Sequence, residues 1–244
     1  MSVQVRFIGS GNAFNDGGRS HACIHLTAPG VSLLLDCGGS SLPAIKRYTD
    51  PATIEAIAVS HLHGDHFAGI TFLVLEQHFA GRSAPLAIAG PAALEERLGL
   101  EGEALYPDFF RTTKLRYPLS FATLGAAPIA LGGALVSALP VRHVQEADPH
   151  GLRVRVGETL IAYSGDARWS EHLPLVSQGA DLFICEASSF ERHEPAHISY
   201  RDIMAHRAEF ECKRMILTHL GQETLDRAGE LELPYAVDGL TLEV

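Results

Sequence analysis

Short apolar runs separated by loop residues recur along the first half of this chain: Val3 to Ile8, Ala22 to Leu26, Val31 to Leu35, Ile54 to Val59 and Leu86 to Ala89. Runs of this length bounded by Gly, Pro, Asn and Asp fit strands. At the start, Val3, Val5 and Phe7 alternate onto one side. Helical patterns are fewer. Phe67 to Phe79 is the best, and a second opens at Pro91, where proline suits a first helical position. Phe121 to Val141 carries no charge and has the length of a membrane span, but Pro128, Gly132, Gly133 and Pro140 interrupt it. It predicts two strands around a Gly132-Gly133 turn. Strands Leu152 to Val156 and Thr159 to Tyr163 follow, joined through Gly157-Glu158. Past residue 168 come a helix over Ser170 to Ser177, a strand Leu182 to Cys185, a helix from Ser199, and a strand Met215 to Thr218. Ser199 with Asp202 fits a capping box with Asp in place of Glu. Strand-rich blocks in both halves, each followed by helices, predict an α/β architecture of two sheets face to face with helices outside. Neither a repeat nor a linker divides residues 1–244, so one domain is expected.

Twenty-nine Asp and Glu against 19 Lys and Arg give a formal charge of −10, which disfavours binding to a phosphate backbone. Hydrophobic content of 46% and charged content of 20% exclude disordered and fibrous classes. No basic region followed by an apolar run opens the chain. Cys23, Cys37, Cys185 and Cys212 form no C-x-x-C pair and no dense disulfide framework, so a reduced cytoplasmic setting is expected.

Three of the 13 histidines fall within six positions, in Ser60-His61-Leu62-His63-Gly64-Asp65-His66. The segment follows an apolar strand and precedes a helical pattern, so it occupies a loop where side chains converge. Imidazole and carboxylate are donors suited to Zn²⁺ and similar ions. Gly9-x-Gly11 resembles a dinucleotide fingerprint, but Phe14 stands where a third glycine is required, and a tight turn is the better reading. No G-x-S-x-G elbow occurs, and the cysteines lie in apolar contexts, so covalent catalysis is not indicated. His21, His25, His78, His150, His172 and His206 are read as structural or surface residues, with pocket lining as the alternative for His21 and His25.

The H-x-H-x-D-H pattern after an apolar strand resembles the signature of the metallo-β-lactamase superfamily. That resemblance implies an αββα sandwich of two mixed sheets and a centre of two divalent ions, zinc foremost, with manganese or iron as alternatives. His61, His63 and His143 would hold one ion, Asp65, His66 and His219 the other, and Asp166 would bridge them. Further segments resemble the ribonuclease Z branch and its small phosphodiesterase relatives: Phe7-Ile8-Gly9-Ser10-Gly11-Asn12-Ala13, Leu34-Leu35-Asp36-Cys37-Gly38, Ser164-Gly165-Asp166, Glu186-Ala187-Ser188 with Phe190, and Leu217-Thr218-His219. Cys185 replaces the first histidine of the branch's H-E-A-T-F, and one extra residue precedes Phe190. The resemblance implies a place near the metals for Asp36. It also implies catalytic roles for Glu186 and for a leaving-group histidine at His197, with His193 as the competing assignment, and makes Asp65 a ligand and proton acceptor.

Members that process tRNA carry a long arm between the third metal histidine and the bridging aspartate. Here His143 and Asp166 are only 23 residues apart (166 − 143), too few for that arm. The expected function is therefore hydrolysis of a small, cyclic or short nucleotidic phosphodiester by a metal-bridging hydroxide. Thioester, lactone or β-lactam hydrolysis on the same centre is the alternative, and tRNA 3′ processing or non-catalytic binding ranks lower. The expected partner is a small molecule, with neither tRNA nor a membrane, and a homodimer is an allowed assembly.

Overall fold

In the computed structural model, which describes residues 2–244, the first sheet takes β1 (Gln4–Gly9), β2 (Cys23–Ala28), β3 (Val31–Leu35), β4 (Ala56–Ala58), β5 (Leu86–Gly90) and β6 (Leu119–Thr123). The second takes β7 (Ile129–Leu131), β8 (Ala134–Pro140), β9 (His150–Val156), β10 (Thr159–Tyr163), β11 (Ala180–Glu186) and β12 (Cys212–Thr218), before β13 (Thr241–Glu243) returns to the first. The strand orders are β13-β1-β2-β3-β4-β5-β6 and β12-β11-β10-β9-β8-β7. Both sheets are mixed. β13, β1, β2 and β3 pair antiparallel and β3 to β6 parallel; β7 to β10 pair antiparallel and β10 to β12 parallel.

The helices are α1 (Ser41–Tyr48), α2 (Gly64–Phe67), α3 (Gly69–Phe79), α4 (Leu94–Leu105), α5 (Phe109–Thr112), α6 (Leu173–Ser177), α7 (Tyr200–Ala205) and α8 (Gln222–Asp226). Period-two alternation sorts the strand residues into layers. Leu33 and Leu35 join Ile161, Tyr163, Leu182 and Ile184 in the core between the sheets. Leu34 turns outward to pack with Ile45 of α1 and Leu73 of α3. Phe183 turns the other way, toward Val176 of α6 and Ile203 of α7. Helices thus cover both outer faces, as the strand-then-helix rhythm predicts.

Several boundaries depart from the sequence reading. The Gly132-Gly133 turn does join two strands, with φ of 54° and 79° at the two glycines. The start of the uncharged run, however, belongs to β6 of the other sheet, so the run crosses between sheets without a charged residue to mark the passage. The helix expected from Phe67 is two pieces meeting at Ala68, and Gly69 sits there because a Cβ would lie 2.1 Å from the Gly38 carbonyl oxygen. The helix expected from Pro91 opens at Leu94 after a turn in which the Leu94 N–H bonds the Pro91 carbonyl, and that expected from Ser170 opens at Leu173. Helices α1, α5 and α8 and strand β13 have no counterpart in the sequence reading. Ser199 caps α7, its Oγ accepting from the Asp202 N–H at 3.1 Å. Gly9 and Gly11 form a close backbone approach where a turn was expected: a Cβ on Gly9 would lie 1.9 Å from the His21 carbonyl oxygen.

The carboxyl ends of strands from both sheets open on one edge. Asp36 follows β3, His143 follows β8 and Asp166 follows β10, while Glu186 ends β11 and His219 follows β12. This is the edge where α/β sheets commonly assemble sites.

Candidate metal centre

The stretch after β4 turns directly into α2, so His61, His63, Asp65 and His66 project from one tight corner. The seven residues proposed from sequence as ligands fall into two donor sets. In one, His61, His63, His143 and Asp166 offer atoms all within 4.8 Å of one another; in the other, Asp65, His66, Asp166 and His219 do so. Nδ1 of His63 stands 3.2 Å from His61 Nε2 and 3.1 Å from His143 Nε2. In the second set His66 Nε2 lies 3.3 Å from Asp65 Oδ2 and 3.4 Å from His219 Nε2.

Asp166 joins the sets through different atoms. Its Oδ1 lies 3.2 Å from His66 Nε2 and 3.4 Å from His219 Nε2, whereas its Oδ2 lies 3.7 Å from His61 Nε2 and 3.9 Å from His143 Nε2.

These spacings fit a pair of ions. Four donors about 2.0–2.1 Å from a tetrahedral ion stand roughly 3.3–3.4 Å apart. Asp166 Oδ1 is buried without a hydrogen-bond partner, an expense that a cation would remove.

The surrounding hydrogen bonds aim the donors. Asp36 is fully buried at φ 58°. Its Oδ2 takes the His66 Nδ1 proton at 2.7 Å and the Ser60 hydroxyl at 2.8 Å, while its Oδ1 takes the Ser60 N–H at 2.7 Å. With its proton spent on Asp36, Ser60 Oγ accepts from His61 Nδ1 at 3.0 Å. His143 Nδ1 donates to the Ala196 carbonyl at 2.7 Å. Each of these bonds places the ring proton on Nδ1 and turns an Nε2 lone pair toward the cluster. Burial lowers the pKa of His61, His63 and His143, which keeps them neutral. Burial also opposes charge on His66 and His219, but Asp166 and Asp65 beside them raise both pKa values. Burial would raise Asp65, yet His66 and His219 hold its carboxyl well below the usual range.

Beside the donor sets, His197 Nδ1 lies 2.9 Å from Oε1 of fully buried Glu186, which also accepts the Ala167 N–H at 2.7 Å. Burial opposes a charge on His197, but Glu186 and then Asp166 raise its pKa to about 10. Burial raises Glu186 in turn, while His197 counters it, and the shared proton stays on the imidazole. His193 is exposed, and it is His197 that holds the bond to Glu186. His25 packs within β2, its Nε2 3.0 Å from Ser32 Oγ.

A cavity of about 640 Å³ opens over the centre, lined by His63, Asp65, Asp166, His197 and His219, with Phe14 and Arg192 on its wall. Sequence reasoning did not single out Ser60, the Ala196 carbonyl or the wall residues, because nothing in the local pattern distinguishes a serine or a main-chain carbonyl that orients a ligand. The 23-residue interval from His143 to Asp166 is taken up by β9 and β10. The four cysteines are free, and all but Cys212 are buried.

A family model described as "Anti-Pycsar protein Apyc1" matches residues 3–233. The chain is 28% identical over 273 aligned residues to a ribonuclease Z of Methanothermobacter thermautotrophicus, the match covering 89% of this chain and 86% of the relative. Its structure is similar to that of the metallo-β-lactamase fold protein YhfI from Bacillus subtilis, with a TM-score of 0.78 and 22% identity over 100% of both chains. It is also similar to a diphosphatase from the PhnP family, with a TM-score of 0.77 and 19% identity over 99% of this chain and 98% of the other. The architecture is the metallo-β-lactamase fold.

Proposed function

The chain belongs to the family described as anti-Pycsar protein Apyc1, and from its site we propose that it is a two-metal hydrolase of small, cyclic or short nucleotidic phosphodiesters. The observation that carries this reading is Asp166, which presents one carboxylate oxygen to each donor set within the cavity that His197 also lines. His61, His63 and His143 would hold one divalent ion, Asp65, His66 and His219 the other, and Asp166 both, with zinc the metal best suited to such donors. When bound, such a pair supplies Lewis acidity and lowers the pKa of water at the site.

The chain's own groups do the rest. Asp65 accepts a proton from the attacking water, whose oxygen forms the new bond to phosphorus. As the bond from phosphorus to the leaving oxygen breaks, His197 gives that oxygen its proton, and Glu186 keeps the imidazole oriented and charged until then. An alkoxide leaving group needs this proton and a thiolate does not, which favours a phosphodiester over a thioester. The interval filled by β9 and β10 and the formal charge of −10 support a small substrate over tRNA. Free buried thiols agree with a cytoplasmic setting, and among the described residues no helix is long and apolar enough to cross a membrane.

The test is to assay purified protein against bis(p-nitrophenyl) phosphate, a cyclic nucleotide, a thioester and a tRNA precursor. The two phosphodiesters should turn over. Faster turnover of the thioester, or correctly placed cleavage of the precursor, would overturn the reading.

A further inference from the structure

Of the four histidines that turn Nε2 toward the donor sets, three are aimed by a bond on Nδ1: His66 by Asp36, His61 by Ser60 and His143 by the Ala196 carbonyl. His219 is the exception. Its Nδ1 is buried and has no hydrogen-bond partner among the described residues. The direction of its Nε2 therefore depends on where the backbone sets the side chain. That backbone stands at φ 58°, a left-handed conformation that residues other than glycine keep only where their surroundings impose it.

The bonds that impose it can be traced. The His219 N–H donates to the Ser10 carbonyl at 3.0 Å. Ser10 is fully buried, and its N–H and its hydroxyl both donate to Asp238 Oδ1, each at 2.9 Å. Asp238 Oδ2 accepts the Ser20 N–H at 2.8 Å, and the Ser20 carbonyl accepts the Gly11 N–H at 2.8 Å, so the turn is closed on both sides of Ser10.

The path of the chain brings Asp238 there. The Leu217 N–H donates to the Pro234 carbonyl at 2.8 Å and the Ala236 N–H to the Leu217 carbonyl at 2.7 Å, which ties this segment to the end of β12. The Gly239 N–H then donates to the Phe7 carbonyl of β1 at 2.7 Å. Residues 234–240 thus cross from the second sheet to the first beside the edge where the site opens, and Asp238 lies in the crossing. A carboxylate there grips its donors more firmly than a neutral acceptor would.

We propose that Asp238 is the positioning residue for His219: by clamping Ser10 it sets the backbone from which His219 enters the second donor set. The inference rests on the two-metal reading and adds to it a residue from outside both the donor sets and the cavity.

The test strips the full chain with chelator and titrates it with Co²⁺, whose absorption reports ligand geometry. The control is Thr241→Val, which removes the 3.0 Å bond from Arg6 Nε that ties β13 to β1 but leaves Asp238 its partners. Wild type and Thr241→Val should each bind two equivalents. Asp238→Ala should bind one equivalent with wild-type affinity and the other about ten-fold or more weakly, with an altered absorption band for that ion. Asp238→Asn keeps one acceptor oxygen, so it tests the clamp if Asp238→Ala does not fold, and it should show the same selectivity at smaller size. Wild-type binding in both Asp238 variants, equal losses at the two ions, or the same loss in Thr241→Val would overturn the proposal.

Amide exchange in the metal-free full chain gives a readout independent of any ion. The His219 N–H should exchange about ten-fold faster in Asp238→Ala than in wild type, or faster by a smaller factor in Asp238→Asn, while amides in the middle of β12 keep their rates. Unchanged exchange at His219, or equal acceleration along β12, would also overturn the proposal. If wild type takes up no metal, the two-metal reading fails, and the His219 exchange rate still decides whether Asp238 holds it in place.

Discussion

Nδ1 of His197 lies 2.9 Å from Oε1 of Glu186, a carboxylate with no exposure to solvent. The bond occupies one ring nitrogen and leaves Nε2 as the atom available to the cavity. A side chain 22% exposed and paired in this way is a charged donor facing the place where substrate would sit.

His197→Ala should therefore lower kcat on a phosphodiester with an alkoxide leaving group by roughly a hundred-fold, the usual contribution of one general acid. A nitrophenolate ester needs little protonation and should lose much less. His193→Ala, at an exposed position, should change neither rate. Equal losses on both substrates in His197→Ala would show that the residue does something other than protonate the leaving group.

Metal content tests the two donor sets. Protein purified without chelator should approach two equivalents of metal per chain, and His66→Ala should fall toward one. Asp36→Asn should weaken metal affinity by about ten- to hundred-fold, because Asp36 fixes His66 directly and His61 through Ser60. Titration that finds wild-type affinity in Asp36→Asn would remove Asp36 from this role.

Gly38 is closed to any side chain, since a Cβ there would stand 1.9 Å from the Asp65 carbonyl oxygen and 2.5 Å from His21 Cβ. Gly38→Ala should displace the Asp65 loop, lower stability by about 1–3 kcal/mol as overpacking does, and weaken metal uptake. A thermal melt and a metal titration matching wild type would contradict this.

His25 gives a pH dependence away from the donor sets. The residue is 4% exposed, and burial, with Arg6 nearby, lowers its pKa to about 4 from the ordinary 6.5. Between those values the unfolded chain binds the proton and the folded chain does not, so stability falls as pH drops from 6.5 through 4 and the loss is complete below that. The full effect is at most about 3 kcal/mol. Replacement by glutamine keeps a polar partner for Ser32 and should flatten this part of the stability curve relative to wild type. Denaturant melts at pH 7, 5.5 and 4.5 measure the difference, and parallel curves for the two proteins would refute it.

Much of the strand pattern was legible because side-chain periodicity is local: Leu33, Leu34 and Leu35 announce a strand buried on both faces, and Ser199 with Asp202 announces a helix start. The H-x-H-x-D-H segment was legible for the same reason, since the residues that would serve both metals sit within six positions of one loop. His143, Asp166 and His219 could be proposed only through resemblance to a family. Nothing local marks them, and their convergence needs strands from both sheets to end on one edge.

Alternation and loop chemistry, written in neighbouring residues, determined by themselves most of the strands, most of the helices and the chemical type of the site. Tertiary structure alone decided which sheet each end of the uncharged run joins, that Ser60 relays Asp36 to His61, that His197 and not His193 reaches Glu186, and that Phe14 stands over the cavity. Those relations depend on distances between segments far apart in the chain. Such distances are set by packing the two sheets and their helices together, and no single stretch of sequence carries them.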